Sequence, residues 1–139
     1  MYDTILVPID GSDPANRAVE HALSHAREYD STVHAMYVVE TNRYGEPALS
    51  STELVIEELE EYGHNLVERL IERADNEGIT VEGICRHGTP HEEILKYADE
   101  IDADMIIIGY QGQSHDIEGH IGSTTDSVIR NSTRPVLTA

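Results

Sequence analysis

Short apolar runs alternate along the chain with longer stretches in which apolar residues recur every three or four positions. Residues 4 to 9, Thr-Ile-Leu-Val-Pro-Ile, make a continuous β-branched run, the pattern of a strand buried on both faces. Asp10-Gly11-Ser12 supplies turn chemistry, and the reading places Asp13 as N-cap with Pro14 at the first helical position. Ala15, Ala18, Val19, Ala22, Leu23 and Ala26 then lay one small-residue helical face against a sheet. A second strand is expected at 32 to 39, and a polar loop with Gly45 and Pro47 over 40 to 50. A helix follows from Ser51 to Glu77, carrying Ile56, Leu59, Leu66, Leu70 and Ala74, with Gly63 weakening its middle by up to ~1 kcal/mol.

Asn76-Glu77-Gly78 stops that helix, a third strand is expected at 79 to 85, and His87-Gly88-Thr89-Pro90 turns into a helix with Ile94, Leu95 and Ala98. Asp104 to Gly109 contains the clearest buried strand. A glycine-rich loop from Gly109 to Gly122, a helix from Ser123 to Arg130 and a last strand from Pro135 to Thr138 complete the chain. Strict β-α alternation implies an α/β fold, a parallel sheet with helices on both faces and right-handed crossovers. With 139 residues and neither a linker nor an internal repeat, positions 1 to 139 read as one domain.

Composition narrows the function. There are 27 acidic and 9 basic residues, a formal charge of −18, and Lys96 is the only lysine. That balance excludes a phosphate-backbone binder, so no nucleic-acid partner is expected, and it opposes docking on an anionic membrane. No apolar run reaches the ~20 residues of a membrane span, and the N-terminus lacks a signal-peptide pattern, so a cytoplasmic protein is expected. Surface acidity with almost no lysine is the halophile-like composition of a protein that works in concentrated salt. The lone Cys85 excludes an internal disulfide and reads as an inert thiol. Asn131-Ser132-Thr133 matches a glycosylation acceptor but reads more simply as a helix end.

Open parallel sheets take ligands beyond the carboxyl ends of the strands, where strand order reverses. Two loops suit that place: Pro8-Ile9-Asp10-Gly11-Ser12, and the loop opening Gly109-Tyr110-Gln111-Gly112 and closing Gly122-Ser123-Thr124. Glycine lets the backbone approach a ligand, and a helix start favours an anion such as phosphate. Asp10 could serve the ligand or merely turn the chain. His115, Asp116, Glu118 and His120 could hold a metal or simply face water.

The spacing Gly109-x2-Gly112-x9-Gly122-Ser123 resembles the signature of the ATP-binding branch of the universal stress protein family. The opening Ile-Leu-Val-Pro-Ile-Asp-Gly-Ser, the His87-Gly88-Thr89-Pro90 turn and the closing Thr133-Arg134-Pro135-Val136-Leu137 carry the same resemblance across the whole chain. It implies a five-stranded sheet of order 3-2-1-4-5 that binds ATP, ADP or AMP. It also implies a homodimer paired through the last strand, Pro135 to Ala139, which the edge-strand argument supports independently. By position, Asp10 would contact adenine and ribose beside Pro8 and Ile9, and Val38 would line the adenine pocket. Gly109 and Gly112 would admit ribose and phosphates, and Gly122, Ser123 and Thr124 would hold phosphate oxygens.

Many relatives carry basic residues between the glycines, but here no Arg or Lys lies between Gly109 and Arg130. Either a divalent cation, Mg²⁺ or Mn²⁺, bridges the phosphates to the protein, or polyphosphate affinity falls. P-loop, Rossmann glycine and nucleophile-elbow motifs are missing, so the leading expectation is a non-catalytic or very slow ATP-binding regulatory protein of the stress response. The alternatives are an interaction module with a decayed nucleotide site and a slow metal-dependent hydrolase using the His115 to His120 loop.

Overall fold

The computed structural model describes residues 2–41, 50–111 and 121–139. Strands and helices alternate through them: β1 (Thr4–Pro8), α1 (Asp13–Tyr29), β2 (Thr32–Val39), α2 (Ser50–Asn76), β3 (Val81–His87), α3 (Pro90–Glu100), β4 (Met105–Ile108), α4 (Ser123–Asn131) and β5 (Val136–Thr138). All strand pairs are parallel, in the order β3-β2-β1-β4-β5. This is the expected order, with β1 at the centre.

The two directions of travel distribute the helices. From β1 to β2 to β3 the chain steps one way, and from β3 to β4 to β5 it steps the other. Right-handed crossovers therefore put α1 and α2 on one face and α3 and α4 on the opposite face. Alternate strand residues serve the two layers. Ile5, Val7, Val33, Ala35 and Ile107 pack with α1 and α2, and Leu6, Met36, Ile106 and Ile108 pack with Ile94 and Ala98 of α3 and Val128 of α4. The α1 face buries the six residues that its periodicity marks.

Two element starts and the role of Gly63 stand out against the sequence reading. The N-cap of α1 is Ser12, whose Oγ accepts from the Ala15 N–H at 3.3 Å, so Asp13 and Pro14 are the first and second helical residues. Serine and aspartate are both good caps, and the Asp10 turn decides between them by holding the Ser12 amide. β3 begins at Val81 rather than 79, because Gly78 (φ +75°) and Ile79 are spent closing α2. Their amides donate to Asp75 and Ala74 carbonyls in a Schellman motif, and Ile79 packs into the core. Gly63 has a positive role rather than only a helix cost: a Cβ there would enter the Tyr37 ring, so glycine is what lets α2 lie down on β2.

Candidate functional site

β1 lies between β2 and β4, so the chain leaves its two sides in opposite directions, and the carboxyl ends of β1 and β4 flank the reversal. Several contacts draw the loops after these strands together. A Cβ on Gly109 would sit 2.6 Å from the Ala15 nitrogen and 2.7 Å from the Pro14 carbonyl carbon, so glycine admits the start of α1 against the end of β4. The buried Thr125 hydroxyl donates to the Gly109 carbonyl at 2.7 Å and ties α4 to the same point. The Tyr110 carbonyl accepts from the Gly122 amide at 2.9 Å, and the Tyr110 amide donates to the Ala139 carbonyl at 2.7 Å.

The first loop is equally fixed. The Ile9 amide donates to the Met36 carbonyl at 2.8 Å, and Asp10 Oδ1 accepts from the Ser12 amide at 2.9 Å. Gly11 follows at φ +82°, where a side chain would be strained. Pro8 and Val38 stand on alternate positions that share the α3/α4 face with Leu6 and Met36, and Val38 is half-buried there. Ile9 turns the other way. Its side chain is buried in the α1/α2 layer, so only its backbone reaches the carboxyl edge.

At the second loop, Gly122 caps α4, and the first intrahelical bond runs from the Asp126 amide to the Gly122 carbonyl. The amides of Ser123, Thr124 and Thr125 precede it and face the end of the helix where positive potential gathers. Ser123 is exposed and Thr124 half-buried. Asp126 adds a carboxylate to that same first turn and pairs with Arg130 at 2.9 Å.

The site therefore gathers Pro8, Asp10, Val38, Gly109, Gly122, Ser123 and Thr124 along one edge. Gly112 and the candidate ligands His115, Asp116, Glu118 and His120 lie outside the described residues. Among the described residues no group of three metal-ligating side chains forms. Cys85 is half-buried, and burial pushes its thiol up, with Glu60 adding to the shift, consistent with an unreactive role.

Two participants were missed. Tyr62 reaches the Asp10 carbonyl with its hydroxyl at 3.5 Å and meets Tyr37 edge to face at 6.0 Å between centroids. Thr125 supplies the clamp on Gly109. Tyr62 comes from the middle of α2, next to Gly63, and a glycine inside an otherwise regular amphipathic helix was the available signal.

The fold defines the class: an open, doubly wound α/β domain with a parallel sheet of order β3-β2-β1-β4-β5. The chain belongs to the universal stress protein family, whose model matches residues 1–139. It is similar to universal stress protein MJ0531 of Methanocaldococcus jannaschii, at 35% identity over 138 residues, covering 99% of this chain and 81% of the relative. The solved structure of MJ0577 from the same organism superposes with a TM-score of 0.90 at 31% identity, covering 99% of this chain and 94% of that one. A family protein from Arabidopsis thaliana, solved with AMP bound, shares the fold at 16% identity and a TM-score of 0.70, covering 97% of this chain and 89% of that one.

Proposed function

We propose that this protein binds an adenine nucleotide at the carboxyl edge of β1 and β4 and works as a regulatory, non-catalytic or very slowly hydrolysing, cytoplasmic stress-response protein. One observation carries the reading. The amide-rich start of α4 and the start of α1 that follows the Asp10 turn are both held against Gly109 at the strand-order reversal, which is where an open α/β sheet receives a phosphorylated ligand. In this reading Asp10 holds the ribose end, Pro8 and Val38 form the apolar wall beside the base, and Gly109 and Gly112 let the backbone approach. Gly122, Ser123 and Thr124 receive phosphate oxygens.

Ser123, Thr124 and Asp126 offer hard oxygen donors of the kind Mg²⁺ or Mn²⁺ takes. The nucleotide's own phosphates would supply most of the cation's remaining ligands, and the cation would offset the local carboxylate charge. Pairing of β5 with its symmetry mate would make a homodimer: among the described residues β5 borders only β4 in the sheet, and Leu137 on β5 and Ile129 on α4 are each 42% exposed.

Calorimetry with ATP, ADP and AMP, each with and without Mg²⁺ in high KCl, tests the reading. Binding of at least one nucleotide, weakened by Asp10→Ala, is expected; no heat from any of them removes it. A second reading, an interaction module whose nucleotide site has decayed, is favoured by the Asp126 carboxylate in the very turn that would meet phosphate. Adenine nucleotide retained through purification and seen by mass spectrometry would exclude that alternative.

A further inference from the structure

We propose that the groove between α1 and α2, on the opposite face of the sheet from Pro8 and Val38, is a second ligand site that takes a small organic anion with an apolar body. Its cavity of about 340 Å³ falls in the size range of small-molecule pockets. The apolar lining comes from Ile9, Val19 and Leu70, each 8% exposed, and from the half-buried Leu66. The polar lining comes from two facing pairs at helical spacing, Asn16 and Glu20 on α1 against Arg69 and Arg73 on α2.

These two rungs differ. Glu20 and Arg73 close the lower one with two bonds of 2.5 and 2.7 Å, and Glu77 adds a contact to Arg73 at 3.3 Å. At the upper rung a neutral Asn16 stands where a carboxylate would complete the pattern, and Arg69 makes no hydrogen bond or ion pair among the described residues. The result is an uncommitted guanidinium over an apolar floor, in a chain with only nine basic residues against 27 acidic ones. Arg73 is neutralised by Glu20 and Glu77, so a cation would meet the unpaired Arg69 guanidinium there, and a wholly polar anion would leave the floor unused. A carboxylate or sulfonate on an apolar ring or tail matches both parts, with the fork of Arg69 receiving the anionic oxygens.

The groove borders the Asp10 turn through Ile9 and Gly11, but its charged groups lie on α1 and α2 and its occupancy does not depend on the nucleotide reading. The test uses 1-anilinonaphthalene-8-sulfonate as the probe on the native protein at fixed KCl. Expected are saturable one-to-one binding that ATP does not compete away and a loss of about tenfold in affinity in Arg69→Gln. Arg17→Gln, on α1 but outside the cavity, should bind like the parent. Asn16→Glu should supply the missing rung to Arg69, weaken the probe by a similar factor and leave cooperative melting intact. Non-saturable binding, competitive displacement by ATP, or unchanged affinity in Arg69→Gln or Asn16→Glu would overturn the proposal.

Discussion

At Gly109 the end of β4 passes so close to the start of α1 that a single methyl group would collide with backbone rather than with a side chain able to turn away. Gly109→Ala is therefore expected to lower stability by about 1–3 kcal/mol and to loosen the join between the two edge loops. Urea unfolding measures the first effect and nucleotide titration the second. His34 is a different kind of residue. It sits on β2 with its side chain 12% exposed, Nδ1 at 3.2 Å from the Tyr97 hydroxyl and Nε2 at 3.5 Å from Glu82. Burial holds its pKa below the ordinary histidine value, and Glu82 opposes that shift only in part. Above the unfolded value of about 6.5, His34 is neutral in both states and its depressed folded pKa carries no penalty. As pH falls through that value the unfolded chain takes the proton first, so stability drops. Urea midpoints at pH 7.5 and 5.5 should converge in His34→Gln relative to the parent; an unchanged gap would contradict the assignment.

Among the elements, the helices that end at unusual residues separate what was legible from what was not. Gly78 announced the end of α2, but α1 and α3 end on left-handed aspartates, Asp30 at φ +57° and Asp102 at φ +51°. Aspartate tolerates that conformation without advertising it. Asp102 pairs at the surface with Arg134 at 3.2 Å, whereas Asp30 puts a carboxylate at a helix end that disfavours negative charge. Asp30→Gly should therefore raise stability by about 0.5–1 kcal/mol, read as a higher urea midpoint at unchanged slope. Strand and helix order, the α1 face and the glycine edge were all readable, because period and turn chemistry are local. The Tyr62 contact with Asp10 and the Thr125 clamp on Gly109 were not, since each joins residues that meet only after the sheet has formed. The same holds for the α1/α2 groove, where the significance of Asn16 depends on α2 placing Arg69 against the same cavity.

For the whole molecule, the charge of −18 opposes any anionic ligand, while the helix-start amides act only at short range. Raising salt from about 0.1 to 1 M shortens the screening length from about 10 to 3 Å, which suppresses the global repulsion more than the contact terms. ATP affinity is therefore expected to rise with KCl, opposite to a site built on lysines and arginines, and titrations across that range check it. β5 argues at the same scale: light scattering at working salt should report a dimer, and Leu137→Glu on the exposed edge should shift it toward monomer. The central claim is the place of binding, and amide chemical-shift mapping of the ¹⁵N-labelled protein during ATP titration tests it most directly. The account predicts the largest shifts at Asp10, Gly11, Gly109 and Gly122 through Thr125. Saturable shifts confined to other residues, with these amides unmoved, would contradict it.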